Sequence, residues 1–270
     1  MIPEGWQAKT LGDVLTLQRG YDLPSTQRKV GENPITLSGG ISGWHEKAQA
    51  TPPGIVTGRY GTIGEVLYVE VDFWPLNTTL YVKDFKGNYP KYLFYLLKTV
   101  DFDSHKAKSG VPGVNRNDLH ELGVLHPPLE EQVKIAEVLT AWDDALETLG
   151  KLIAAKLELK RGLMQALLTG KKTFQEFETR EWKTTGIGEV AKVYQPKTIG
   201  SDVFTDSGYP VFGANGQVGY FHSFNHEKWQ TLVTCRGSTC GTVSRSLEKS
   251  WITGNAMVLN VEENQKVDKN

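Results

Sequence analysis

The residue types best suited to chemistry gather late in the chain. His222, His226, Cys235 and Cys240 are of the kinds that ligate zinc. An internal duplication, set out below, places Cys235 and Cys240 opposite Gly58 and Ile63, neither of which is a ligand, so no metal site is expected. VFGANG (211–216) has the look of a glycine-rich cofactor loop, but its counterpart ITLSGG (35–40) lacks the pattern, and a hairpin turn is the better reading. GKKT (170–173) has no upstream glycine at P-loop spacing and falls at a helix end rather than a helix start. A base methyltransferase needs an Asn/Asp-Pro-Pro-aromatic tetrapeptide, whereas the Pro-Pro pairs here sit in ATPPGI and HPPLEE. No grouping of carboxylates with a lysine points to a nuclease. The chain is expected to have no catalytic activity and no cofactor of its own.

Contact with nucleic acid asks for different residues: Lys and Arg for phosphates, and Arg, Asn or Gln for base edges in the major groove. Lys106, Lys108, Asn115, Arg116 and Asn117 form one such cluster on a glycine-rich stretch. Gln18, Arg19, Gln27, Arg28 and Lys29 form another. Each residue taken singly fits an ordinary solvated loop equally well. Charge does not decide the matter. The net charge is −1, and residues 1–128 carry 13 cationic against 13 acidic side chains, 129–180 carry 8 against 9, and 181–270 carry 9 against 9. A DNA-binding patch must therefore be made by folding.

The elements that would position these residues occur twice. At an offset of 176, Trp6 matches Trp182, Pro34 matches Pro210, Gly40 and Gly43 match Gly216 and Gly219, and Trp44 matches Tyr220. LGDV (11–14), read as a turn leading into a strand, matches IGEV (187–190). After one inserted residue VTGRYGTIG (56–64) matches VTCRGSTCG (233–241), with Arg59 on Arg236, and Trp74 falls on Trp251. Arginines shared by both copies suit structural or backbone roles, and specificity should sit where the copies differ. The second copy stops at the equivalent of position 93, so the repeat is expected to be incomplete. Short alternating runs bounded by Gly and Pro predict a twisted, mainly antiparallel sheet in each copy. KYLFYLLKTV (91–100) predicts a helix, and NRNDL a helical turn before a strand.

Between the copies, Pro127 and Pro128 introduce a segment whose Glu130 and Glu131 suit the positive end of a helix. Ile135, Leu139, Trp142, Leu146, Leu149 and Ile153 recur at alternating four- and three-residue steps, a coiled-coil stripe. Leu163, Met164, Leu167 and Leu168 continue the apolar face after a slip around 156–162, and Gly170 supplies a stop. Continuous from 129 to 169, the helix would run roughly 60 Å. That length fits a spacer seeking another helix better than a helix lying on its own domain. An antiparallel homodimer through residues 135–168 is expected, with two copies of the first domain arranged for a palindromic bipartite site. The expected domains are 1–128 and 181–270, separated by the helix (129–170) and a linker (171–180).

Taken in order, GWQAKTLGDV and its echo EWKTTGIGEV, TGRYGTIGEV and TCRGSTCGTV, and GVPGVNRNDLHELGVLHPPLEEQ with its helix to LLTGKK resemble the specificity subunits of type I restriction-modification enzymes. The resemblance covers essentially the whole chain. No single motif in it is decisive; the order and the duplication are. It implies an α+β fold with two target-recognition domains, each reading half of a bipartite DNA site. It implies helices that set the spacing and dock methyltransferase (modification) subunits, which recruit restriction subunits. S-adenosylmethionine, ATP and magnesium would belong to those partners. The competing reading is a non-catalytic coiled-coil scaffold whose repeated domains bind protein or another ligand. With two cysteines, no apolar leader at the N-terminus and no stretch long enough for a bilayer, a reducing cytoplasmic setting is expected.

Overall fold

The computed structural model describes residues 2–102, 104 and 113–262. The chain divides into two compact units, Met1–Gly162 and Leu163–Asn270.

The first unit runs β1 (Gln7–Thr10), α1 (Leu11–Val14), β2 (Thr16–Arg19), β3 (Asn33–Leu37), β4 (Gly40–His45), β5 (Gly54–Gly58), β6 (Val66–Val69), β7 (Trp74–Pro75), β8 (Thr79–Asp84), α2 (Pro90–Lys98), α3 (Arg116–His120), β9 (Gly123–His126) and α4 (Leu129–Leu168). Three sheets form rather than one. An antiparallel sheet has the order β2-β8-β5-β6, a second has β4-β3-β7 with β3 and β7 parallel, and β1 pairs with β9. The main core lies where α1, α2 and α3 meet the four-stranded sheet, filled by Leu11, Leu15, Leu17, Ile55, Leu80, Leu93, Leu97 and Leu119. Helix α2 begins with Pro90 at its first turn, where no amide hydrogen is needed, and buries Tyr92, Leu93, Phe94, Tyr95 and Leu97.

LGDV is not the turn-plus-strand that the sequence pattern predicts. Thr10 and Asp13 form a capping box, Asp13 N donating to Thr10 Oγ1 (3.2 Å) and Thr10 N to Asp13 Oδ2 (2.9 Å). A helical turn puts Leu11 and Val14, three apart, on one face, and both are fully buried; an extended chain would send them to opposite faces.

Helix α4 spans the predicted stretch. Its first turns are anchored in the first unit: Gln132 and Ala136 are buried, and Gln132 Nε2 donates to Asn88 Oδ1 (2.9 Å) and Pro127 O (3.0 Å) while its Oε1 accepts from Tyr89 N (3.0 Å). Beyond that anchor the helix is largely solvated. Trp142, Leu146, Leu149, Ile153 and Leu163 are exposed, as are Leu152, Leu157 and Leu159 outside the stripe.

The second unit takes the last turns of α4 and then α5 (Ile187–Val190), β10 (Lys192–Tyr194), β11 (Tyr209–Gly213), β12 (Gly216–Phe221), β13 (Thr231–Thr234), β14 (Val243–Arg245), β15 (Trp251–Ile252) and β16 (Ala256–Asn260). Gly170, with φ +70°, follows the helix in the left-handed conformation that ends it. The duplication holds in three dimensions. The sheet order β10-β16-β13-β14 reproduces β2-β8-β5-β6, and β12-β11-β15 reproduces β4-β3-β7. The β-bulge at Ile35/Thr36 recurs at Val211/Phe212, and the parallel pair Ile35–Trp74 recurs as Val211–Trp251. Among the described residues no helix is long and apolar enough to cross a membrane.

Candidate nucleic-acid interface

Three arginines from distant parts of the sequence meet in one groove of the first unit. Arg19 comes from the end of β2, Arg59 from the loop after β5, and Arg116 from the start of α3; Tyr60, Leu80, Gly113, Val114 and Asn115 complete the lining of a cavity of about 490 Å³. Among the described residues no acidic side chain lines it.

Backbone pairing fixes the floor. Arg59 N and Tyr60 N both donate to Thr78 O (3.0 and 3.1 Å), and Val114 N donates to Arg59 O (3.0 Å). Tyr60 packs against Gly113: a Cβ at that glycine would stand 2.3 Å from the ring, so only glycine admits the contact. The Arg59 guanidinium sits 4.6 Å from the centre of the Tyr60 ring. Asn115 caps α3 by accepting from Asn117 N (3.0 Å), which holds Arg116 at the first helical position. Arg19 donates through Nε to Asn77 O (3.4 Å), and its guanidinium lies 3.9 Å from Asp22 in an exposed pair of little energetic weight. Arg59 and Arg116 make no ion pair among the described residues.

Arg19, Asn115 and Arg116 are thus brought together from two separate sequence clusters. Asn117 is exposed beside them on α3. The remaining candidates lie apart from the groove lining. Gln18 donates to Tyr21 Oη (3.1 Å); Arg28 donates to Leu23 O (3.5 Å); the Lys29 ammonium is 3.1 Å from Glu46 Oε1. Lys106 and Lys108 lie outside the described residues. Tyr60 escaped the sequence reading because its partner, Gly113, is remote in the chain. Its position beside the repeated Arg59 was the one available signal.

Behind the groove, His120 on α3 ties that helix to the sheet, its Nε2 accepting from Leu17 N (2.9 Å). Burial and then the nearby charges of Arg116 and Lys86 hold its pKa below the ordinary histidine value, so the neutral acceptor form persists. Among the described residues no three His, Cys, Asp or Glu side chains group so as to hold a metal. His226 is engaged by Tyr194 Oη (2.8 Å) and Asn225 Oδ1 (2.6 Å).

Residues 3–158, from the first strand through most of the long helix, match the family described as the type I restriction modification DNA specificity domain. The chain belongs to that family. As a specificity-domain protein it is 27% identical over 235 residues to a sequence named provisionally as the type I restriction enzyme MjaX specificity subunit of Methanocaldococcus jannaschii, covering 75% of this chain and 54% of that one. It is 31% identical over 131 residues to the type I restriction enzyme MjaVIII specificity subunit of the same organism, covering 46% and 30%. The chain thus spans about half the length of the first relative and less of the second. Its fold is shared with the crystal structure of a type I restriction-modification S subunit from M. genitalium, with a TM-score of 0.65, 20% identity, and 98% of this chain and 74% of that one covered.

Proposed function

We propose that this specificity-domain protein recognises double-stranded DNA for a type I restriction-modification complex, its first unit reading one half of a bipartite site. The observation that carries this reading is the convergence of Arg19, Arg59 and Arg116 on a groove that, among the described residues, no carboxylate lines, in a chain of net charge −1. Cations concentrated there supply the phosphate contacts that position a protein on a duplex, and the exposed Asn117 beside them has the donor and acceptor pair that reads adenine, while Asn115 holds α3 in place through its cap. Arg59, whose counterpart in the second unit is Arg236, contacts the phosphate backbone in this reading. Residues that differ between the units carry the sequence discrimination.

The stripe of α4, exposed at Leu139, Trp142, Leu146, Leu149, Ile153, Leu163 and Leu168 and half-buried at Leu167, docks methyltransferase subunits and sets the spacing between half-sites. Ile135 is already partly occupied, packing on the first unit's core. Restriction subunits join through the methyltransferase, and S-adenosylmethionine, ATP and magnesium belong to those partners. The chain itself acts without catalysis, in the cytoplasm. In isolation the same stripe pairs two copies antiparallel, since apolar area removed from water contributes about 25 cal/mol per Å². Light scattering at micromolar concentration checks this: a two-chain mass is expected, and a strict monomer would remove the dimer from the account.

Filter binding of labelled duplex in the presence of the methyltransferase subunit tests the main reading. Retention that survives excess unrelated duplex is expected. Absent or sequence-indifferent retention with the partner present would overturn it and restore the scaffold reading.

A further inference from the structure

The duplication left one difference between the units unexplained: Cys235 and Cys240 stand where the first unit has Gly58 and Ile63. Both are free thiols, Cys235 half-buried and Cys240 exposed. The backbone brings them close across a turn, the Cys235 thiol lying 3.5 Å from Val233 O. In the β13–β14 hairpin Val233 opposes Val243, and then Thr234 N donates to Thr242 O while Thr234 O accepts from Gly241 N, both at 2.9 Å. Thr234 therefore opposes two residues, a bulge that shifts the register by one, and Gly241 takes the left-handed conformation (φ +87°) such a bulge requires. Past the bulge, Cys235 and Cys240 are the next residues in line on the two sides of the turn.

Three further observations fix the pair. The Cys240 thiol lies 3.5 Å from Cys235 O, and Cys240 N closes the turn by donating to Gly237 O at 3.2 Å. Cys235 N is held to Asn255 O at 3.3 Å on the neighbouring chain segment. In the first unit, a Cβ built on Gly58 would stand 3.0 Å from Ile63 Cα, so the fold brings these two positions together independently of the cysteines. Opposed residues of an antiparallel pair have Cα atoms about 4.5–5.5 Å apart, within the span a disulfide bridges.

We propose that Cys235 and Cys240 are a redox pair that closes an intraloop disulfide across the β13–β14 turn. The oxidant is a low-molecular-weight disulfide of the glutathione type. The exposed Cys240 thiol loses its proton, and the thiolate attacks one sulfur of the oxidant; that S–S bond breaks, and the first glutathione leaves as a thiolate and takes up a proton. The Cys235 thiolate then displaces the second glutathione from Cys240. One protein disulfide and two reduced glutathiones result, two electrons having passed from the pair to the oxidant. The ring encloses Arg236–Thr239, the counterpart of the Arg59–Thr62 loop that borders the groove of the first unit. Oxidation thus locks in the second unit the loop that carries the repeated arginine. The proposal stands apart from the DNA-binding reading.

The test equilibrates the reduced full-length chain with glutathione redox buffers, quenches with acid and reads intact mass. The native chain should lose two hydrogens with no bound glutathione, both thiols disappearing together. The effective concentration of one thiol for the other should be at least tenfold higher native than in urea, about 30 mV for a two-electron couple. Backbone amides of residues 236–239 should exchange more slowly in the oxidised form. Cys240→Ser should instead leave Cys235 to end as a glutathione adduct or unreacted. Stable glutathione adducts on the unsubstituted chain, disulfide-linked pairs of chains, or an effective concentration no higher native than in urea would each overturn the proposal.

Discussion

Arg59 joins a sequence signal to a folded position. Its recurrence as Arg236 marked it for a structural or backbone role, and the fold sets it on the Tyr60 ring in a groove with Arg19 and Arg116. What the chain order hides is the meeting itself, which depends on Val114 N reaching Arg59 O across some fifty residues. Lys29, by contrast, looks free in sequence until folding brings Glu46 beside it. If Arg59 neutralises a phosphate, Arg59→Ala should weaken duplex binding about tenfold for all sequences alike. It should also reduce the slope of log affinity against log salt by about 1, read by fluorescence anisotropy at several salt concentrations. His120 gives a second prediction. Its folded pKa lies below its unfolded value of about 6.5, so the unfolded chain binds more protons in acid, and the stability is present above that value. It is lost as pH falls from about 6.5 through the folded pKa. The Tm of the first unit should therefore fall from pH 7.5 to pH 5. His120→Gln, which keeps an acceptor for Leu17 N, should flatten that dependence.

At the scale of elements, periodicity carried most of the information. Helices α2 and α4 were legible because their apolar spacing is regular, and α3 because NRNDL starts with a capping Asn. α1 was misread because four residues hold too little periodicity. The signal lay one residue earlier, in the Thr10-to-Asp13 capping spacing. The separation into β2-β8-β5-β6 and β4-β3-β7 could not be read locally, since alternation shows that a strand has a buried face but not which sheet it joins. The anchor of α4 was hidden too: a buried glutamine within an apolar stripe looks like an exposed one until Asn88, Tyr89 and Pro127 are seen around it. Gln132→Ala leaves Tyr89 N and Pro127 O without that partner. It should destabilise the first unit by about 2 kcal/mol in urea unfolding. An unchanged midpoint would show that the helix is held by packing alone.

At the scale of the whole molecule, two units of the same sheet order are joined in sequence by one long, largely exposed helix. The two units share sheet order, bulge and parallel pair. Balanced charge in each of the three segments of the chain concealed the groove, because only folding gathers Arg19, Arg59 and Arg116. The most direct measurement is selection from a randomised duplex library by the chain assembled with its methyltransferase subunit, followed by sequencing of the retained pool. The account predicts one bipartite consensus with a fixed gap, its information lost when Arg19, Arg59 and Arg116 are replaced together. A retained pool indistinguishable in sequence from the starting library would contradict it.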